Sequence, residues 1–370
     1  SQHIGAPAKA TVKKGDHVLV GQIIANGSGM ISANVASSIS GTVKAIDKRL
    51  VANGFYTDCI IITNDHQYQT VPEYNTINNY QNYNSTQIRE LIAHAGIVGL
   101  GGAGFPSAVK NTPKDDDAIK YVIINGAECE PYLTSDYRLM LEETEKLIAG
   151  IKIQLQLFKN AKAIIAIEDN KPDAISQIEN AIKNEPKIEI AILQTKYPQG
   201  SERVLIKVLT NQNIKNGMLP ADVGCIVSNV ASIIAIYDAV ALNIPLIEKI
   251  VTVTGDVISK PQNFRVRLGT KYQILVDACD GFKIHPQKII SGGPMMGTAL
   301  FNLEIPVSKT SSALVCLSED EVSKNTPTPC IHCGRCVSVC PIGLIPQLLY
   351  RYAKNGDKDN FLKVHGSDCM

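Results

Sequence analysis

The tightest constraint on this chain lies near its C-terminal end, in the run Cys330-Ile-His-Cys333-Gly-Arg-Cys336-Val-Ser-Val-Cys340-Pro341. C-x2-C-x2-C-x3-C-P spacing lets three thiolates of one tight loop grip a single [4Fe-4S] cubane and leaves the fourth for a neighbouring cluster. A structural zinc site uses two C-x2-C pairs separated by a longer insert, which this run does not have. A segment so spaced folds around a cluster, and a cluster moves single electrons.

The neighbouring cluster leaves a trace beyond a helix-like spacer, Pro346–Lys354, where the chain reads Gly366-Ser-Asp-Cys369-Met370. Cys369 stands where a second C-x2-C run would begin; the other reading of it is a stray terminal thiol. Together with a first residue that is Ser1 rather than Met, this reads as a fragment cut at both ends. Residues 326–370 are thus expected to form a truncated ferredoxin-like module. Cys330, Cys333, Cys336, Cys340 and Cys369 are its metal ligands, and cluster occupancy in the fragment is expected to be poor. His332 reads as a spacer.

Charge excludes some partners. With 36 Lys+Arg against 35 Asp+Glu and no basic stripe interleaved with aromatics, nucleic acid is not an expected partner. The most apolar stretch, Gly224 to Ile247, is interrupted by Asn229, Asp238, Asn243 and Pro245, too often for a lipid-spanning helix. Cys59, Cys129, Cys225, Cys279 and Cys316 are scattered, which suits a reducing compartment rather than a disulfide framework.

Periodicity divides the rest. Residues 1–66 alternate short β-type runs with glycine, as in Thr11 to Val18, Val20 to Ile24 and Ser40 to Val43, and resemble a biotinyl/lipoyl type of barrel-sandwich domain. The position of that family's carrier lysine falls near Met30, and no lysine lies between Lys14 and Lys44, so a structural module is expected. Tyr68 to Asn84 reads as a connecting loop. Asn84 and Gln87 form a capping-box start for a helix over Thr86 to His94, stopped by Gly96. Strands are then expected at Tyr121–Ile124, Ala161–Ile167 and Ile188–Leu193. They alternate with helices at Tyr137–Gln156, Asp173–Lys183 and Gly200–Leu209, the rhythm of an α/β layer with a largely parallel sheet. From Ile250 to Ile258 and Tyr272 to Val276 the spacing returns to β, before the turn Gly292-Gly-Pro-Met-Met-Gly297. Residues 301–325 read as a connecting strand, Lys309 to Leu317, and a linker.

Gly96, Gly99, Gly101, Gly102 and Gly104 put five glycines into nine residues. Such a stretch converges backbone N–H groups on a phosphate or lies flat against a planar ring. Gly99, Gly101 and Gly104 satisfy G-x-G-x-x-G, but a helix precedes them where a Rossmann fingerprint has a strand, so cofactor binding of another kind is expected. After the strand Tyr121–Ile124 come Asn125, Glu128 and Glu130, at the sheet edge where open α/β folds bind ligands. Glu128 and Glu130 read equally as general acid/base groups or as solvated loop carboxylates. Tyr197-Pro-Gln-Gly200-Ser-Glu202-Arg203 opens a helix whose N-terminal end favours an anion.

Taken in order, Gly99 to Pro106 with Lys110, Asn125 to Pro131, Tyr197 to Arg203, Ser228-Asn229-Val230, Gly292 to Gly297 and the Cys run resemble the C subunit of Rnf (Rsx) electron-transport complexes. More distantly they are similar to the NADH-binding flavoprotein subunit of respiratory complex I. The resemblance implies FMN in the glycine-loop pocket with NAD(H) stacked upon it. Gly99, Gly101, Gly102 and Gly104 would line the flavin, Lys110 would hold its phosphate region, and Asn125 would contact the ring or ribityl chain. Asn229 and Ser232 would support the flavin phosphate. Phe105 and Glu202 would flank the dinucleotide, with Tyr197 and Gly200 in the same loop, and Glu128 and Glu130 would lie near the nicotinamide. Alone, Phe105 reads as a core aromatic and Lys110 as a surface charge. Ala127 and Ser201 replace acidic residues of the complex I relatives. A β-grasp-like domain is implied over 248–300.

The expected architecture is therefore multidomain α/β. It runs from the barrel-sandwich-like unit (1–66) through an α/β FMN/NADH-binding domain (84–247), the β-grasp-like unit and the connector to the truncated ferredoxin-like [4Fe-4S] module. The expected activity is that of one component of a ferredoxin:NAD oxidoreductase, with hydride passing between nicotinamide and FMN and single electrons between FMN and [4Fe-4S] clusters. Its implied partners are membrane subunits, a ferredoxin-type electron-transfer subunit and NADH, and its implied place is peripheral, on the cytoplasmic side of the membrane. The alternatives are a soluble flavin/iron-sulfur cobalamin reductase and a non-catalytic electron-transfer adaptor.

Overall fold

A computed structural model describes residues 2–214 and 217–369; Ser1 and Met370, the outer limits of the first and last expected units, lie outside the described residues. The chain is a mixed α/β multidomain protein. At its N-terminal end two three-stranded antiparallel sheets face each other around Val18, Ile24 and Val43. One sheet orders Lys9–Ala10, Ile23–Asn26 and Val35–Ala36, the other His17–Val18, Gly41–Leu50 and Tyr56–Asn64. The last two strands form a hairpin long enough for its tip residue Ala52 to pack on the main core. Met30, at the carrier position, is 90% exposed on a bend without a lysine.

The central domain is a four-stranded parallel sheet ordered Cys225–Asn229, Tyr121–Gly126, Lys162–Glu168, Ile188–Leu193. A parallel sheet is covered on both faces and its strands read as continuous apolar runs. Here Val122 and Ile124 face one core while Ile123 faces the other, the two-residue alternation of a strand. The helix Ser85–His94 begins on Asn84, whose side chain accepts from the Gln87 N–H while the Gln87 side chain accepts from the Asn84 N–H.

The helix expected over Tyr137–Gln156 is two helices, Ser135–Glu142 and Thr144–Leu157, broken at Glu143. Glu143 pairs with Arg265 of the next domain and with Lys146, and Thr144 Oγ1 donates to the Met140 carbonyl at 2.6 Å, so a tertiary tie interrupts a helical sequence. The second helix crosses Val230–Leu242 closely: a Cβ on Gly150 would lie 2.4 Å from the Ile233 carbonyl oxygen.

Beyond it lies a five-stranded sheet ordered Gln262–Arg267, Glu248–Thr254, Ala313–Leu317, Lys288–Ser291, Thr298–Leu300. Its central strand comes from the stretch expected only as a connector, and that strand starts at Ala313 rather than Lys309. A further expectation is corrected. Tyr272–Ala278 is a helix, not a strand. Tyr272, Leu275 and Val276 bury one helical face, Ile274 is exposed, and β-favouring residues yield to that packing. Short helices Arg335–Ser338, Pro346–Lys354 and Lys358–Lys363 carry the cysteine segment, with Leu344 and Leu349 buried. Among the described residues no helix is long and apolar enough to cross a membrane.

Candidate functional site

A cavity of about 790 Å³ opens at the C-terminal edge of the parallel sheet. Every unit of the chain contributes to its wall. Ala52 and Asn53 come from the N-terminal hairpin tip, Gly101 and Gly102 from the glycine loop, Asn125, Glu128, Glu130 and Asn229 from strand ends, and Tyr197 and Gly200 from the loop before Glu202–Thr210. The five-stranded domain adds Lys249 and the Gly292–Gly297 turn, and the cysteine segment adds Cys340 and Cys369.

The glycine loop closes on itself, with the Gly99 N–H donating to the Phe105 carbonyl at 2.8 Å and the Gly104 N–H to that of Gly99 at 3.0 Å. Its glycines serve different ends. A Cβ on Gly96 would meet the Asn34 carbonyl at 2.3 Å, and one on Gly104 the Thr310 side chain at 2.7 Å, so these two allow neighbouring segments to close in. Gly101 and Gly102 are the pair on the cavity wall. With no side chain there, a planar group has room to approach backbone, which is the fit a flavin requires.

Polar groups around the cavity are already ordered. Asn125 Nδ2 donates to the Gly200 carbonyl at 2.8 Å and its Oδ1 accepts from the Ala127 N–H at 3.1 Å, fixing the Tyr197–Gly200 loop against the strand end. Asn229 caps its helix through the Ala231 N–H at 2.9 Å and donates to Asp136 at 2.6 Å. Glu128 accepts from the Asp136 and Tyr137 N–H groups and from Ser135 Oγ, at 2.9, 3.2 and 3.1 Å, and so caps the helix Ser135–Glu142. Burial, then the neighbouring Asp136 charge, pushes the Glu128 carboxyl up to about 7. Asp136 is raised by burial, opposed by the bond from Asn229. Two such carboxyls share protons as a pair.

Glu130 takes the N–H groups of Met295 and Met296 at 3.1 and 2.8 Å, tying the sheet edge to the Gly292–Gly297 turn. A Cβ on Gly293 would sit 2.3 Å from the Glu130 carboxylate, so glycine is what lets the two segments meet.

Of the residues expected at the site, Gly101, Gly102, Asn125, Glu128, Glu130, Tyr197, Gly200 and Asn229 meet on this cavity. Gly99, Gly104, Phe105, Lys110, Glu202 and Ser232 do not line it. Lys110 Nζ donates to the Val227 carbonyl at 2.9 Å and to Glu202 at 3.1 Å, and Ser232 Oγ is buried, accepting the Leu100 N–H at 2.9 Å. Asp136, Lys249 and the turn's Gly293 and Met296 belong to the site without having been singled out for it. Only the turn carried a local signal, its glycine density.

Cys330, Cys333 and Cys336 are exposed, and among the described residues no two cysteines are joined in a disulfide. No group of three or more His, Cys, Asp or Glu side chains among the described residues is gathered closely enough to hold a metal ion. The donor set itself suits iron: thiols at cluster spacing, reachable from solvent, with Cys340 and Cys369 on the cavity wall.

Three family models match this chain: the RnfC barrel sandwich hybrid domain at residues 1–67, the Nuo51 FMN-binding domain at 92–238 and the SLBB domain at 250–299. The C subunit of the proton-translocating ferredoxin:NAD(+) oxidoreductase complex of Clostridium ljungdahlii is 45% identical over 348 residues, covering 94% of this chain and 76% of that one. The C subunit of the Na(+)-translocating complex of Acetobacterium woodii is 41% identical, covering 96% and 80%. The C subunit of the ion-translocating oxidoreductase complex of Vibrio cholerae is 39% identical over 97% of this chain, which spans 46% of that longer protein. Among solved structures, an air-oxidized NAD+-reducing [NiFe]-hydrogenase shares the fold, with a TM-score of 0.56 and 22% identity. It covers 65% of this chain, and this chain spans about half (47%) of it.

Proposed function

This chain belongs to the C-subunit family of Rnf-type ion-translocating ferredoxin:NAD(+) oxidoreductase complexes, and from that premise we propose that its cavity is the flavin and NAD(H) site of such a complex. It is an oxidoreductase subunit with an FMN-binding domain. Bound FMN would supply the exchange between the electron pair of a nicotinamide and the single electrons of iron-sulfur clusters.

The chain's own residues bind and orient. Gly101 and Gly102 offer bare backbone to the ring, Asn125 and Asn229 hold the strand ends in place, and Tyr197 and Gly200 form the wall toward the dinucleotide. Hydride exchange needs no protein acid or base, so these groups position and tune. Lys110, Glu202 and Ser232 act through neighbours rather than from the cavity lining, on Val227, Lys110 and Leu100 respectively. Gly99, Gly104 and Phe105 keep the loop closed behind Gly101 and Gly102, and Glu128 and Glu130 hold neighbouring elements to the cavity. Cys330, Cys333, Cys336, Cys340 and Cys369 would hold the clusters of a ferredoxin-like module over 326–370. The remaining units follow as a barrel-sandwich domain over 1–66, the FMN/NADH domain over 84–247 and a β-grasp-like domain from 248. In an assembled complex this chain would sit peripherally on the cytoplasmic side, with membrane subunits and a ferredoxin-type subunit as partners.

The observation that carries this reading is the convergence of Gly101, Gly102, Asn125 and Asn229 with Cys340 and Cys369 on one cavity. It is tested by reconstituting the chain with FMN, releasing the flavin by denaturation, and following the bound flavin's absorbance on anaerobic addition of NADH. Stoichiometric flavin that bleaches supports the proposal; a reconstituted chain that retains no flavin, or flavin that NADH leaves oxidised, rejects it.

A further inference from the structure

Two buried lysines sit beneath the glycine loop and belong to none of the motifs in the sequence. Lys309 is 0% exposed and Lys249 is 6% exposed. An ammonium removed from water is costly unless an opposite charge meets it, yet both are bonded to neutral backbone carbonyls. Lys249 Nζ donates to Leu100 O at 2.6 Å and to Lys309 O at 2.9 Å; Lys309 Nζ donates to Asn34 O at 2.5 Å and to Gly96 O at 2.7 Å. Burial pulls Lys309 down to about 7 and Lys249 to about 8, with the Asp136 carboxylate opposing the shift at Lys249.

The acceptors locate the effect. Gly96 begins the loop and Leu100 precedes its cavity-facing pair. The Leu100 N–H is held by Ser232 Oγ at 2.9 Å, so this residue's backbone is clamped from both sides. The Leu100 carbonyl belongs to the peptide that carries the Gly101 N–H, and pinning one orients the other. An ammonium has three donors and Lys249 spends two on these carbonyls, while its side chain borders the cavity.

We propose that Lys249 is the positioning residue of the site: its ammonium fixes the Leu100–Gly101 peptide and lends the cavity the positive charge that an anionic part of the flavin, either the phosphate or the reduced ring, neutralises. This rests on the flavin reading and adds to it a residue, a charge and a ligand class. Lys309 supports it from below by presenting its carbonyl to Lys249 and holding Gly96.

The test titrates the chain and its Lys249→Met variant with FMN and with riboflavin, and measures the midpoint potential of bound FMN. If the phosphate is the anion, the variant loses at least about tenfold in FMN affinity while riboflavin binds as before. If the reduced ring is the anion, both oxidised flavins bind nearly as before. The midpoint potential then falls by about 30 mV for each tenfold preference lost, for a two-electron couple. Lys249→Gln, which keeps a hydrogen-bond donor but not the charge, is expected to move the same quantity in the same direction, and it carries the test if Lys249→Met does not fold. Wild-type affinities and potential in both variants overturn the role of Lys249 alone. A wild-type chain that binds no flavin overturns the flavin reading and this inference with it.

Discussion

Replacing Glu130 by alanine isolates the tie between the sheet edge and the Gly292–Gly297 turn. Its carboxylate accepts two backbone N–H groups, from Met295 at 3.1 Å and Met296 at 2.8 Å. A hydrogen bond to a charged group contributes about 1.5–3 kcal/mol, but Glu130 is only partly buried, so solvent screening brings each nearer to about 1 kcal/mol. Together they hold the turn by about 2 kcal/mol. At 1.4 kcal/mol per factor of ten, amide exchange through local opening of the turn should accelerate about 30-fold. The measurement is hydrogen–deuterium exchange by mass spectrometry on peptides covering residues 291–297, with peptides of the parallel sheet as the internal control. Glu130→Gln keeps a neutral acceptor and should lie between wild type and alanine. Gly293→Ala should reach the same end from the other partner, because its Cβ would stand 2.3 Å from the carboxylate. The double variant should then add little to either single change. Unchanged exchange of the turn in Glu130→Ala would refute the reasoning, since the bonds would then hold nothing.

Other consequences are open to measurement. Because the folded Glu128 carboxyl is raised from 4.5 to about 7, the native chain binds a proton there more tightly than the unfolded chain. This contribution should therefore lower stability as pH rises from about 4.5 to 7, by at most about 3 kcal/mol. Glu128→Gln should flatten that slope in denaturant titrations, and an equal slope in both proteins would count against it. Gly96→Ala forces a Cβ to 2.3 Å from the Asn34 carbonyl at a backbone φ of +66°, whereas a Cβ on Gly99 meets nothing closer than 3.6 Å. The first change should cost more than about 2 kcal/mol in thermal unfolding and the second under about 1 kcal/mol. Equal effects would dismiss close approach as the reason for Gly96. An aromatic disulfide reagent should modify exposed Cys330, Cys333 and Cys336 in the native chain. It should spare Cys225 and Cys316, whose thiols burial pushes up to about 11 and about 12. Prompt labelling of the buried pair would contradict the packing.

Much of the fold is local enough to read along the chain. The Asn84 and Gln87 cap, the Ile188–Leu193 strand and the parallel layer follow from short-range spacing, because hydrophobic period and capping chemistry are set by residues a few positions apart. Where tertiary contact overrode local preference, the reading failed. Tyr272–Ala278 became a helix to bury Tyr272, Leu275 and Val276, and the helix before Thr144 broke so that Glu143 could meet Arg265.

By itself the sequence determined the family, the ordering of the units, the cysteine spacing and which glycines cluster, since these are properties of residue identity and short separation. Only the tertiary structure decided which of those glycines face the cavity, that Glu130 reaches the Met295 and Met296 amides, and that Lys249 lies under Leu100. Those pairings join residues more than a hundred positions apart. No local pattern encodes them: a lysine in a strand reads as a solvent-facing charge until folding brings a neutral carbonyl to it and takes the water away.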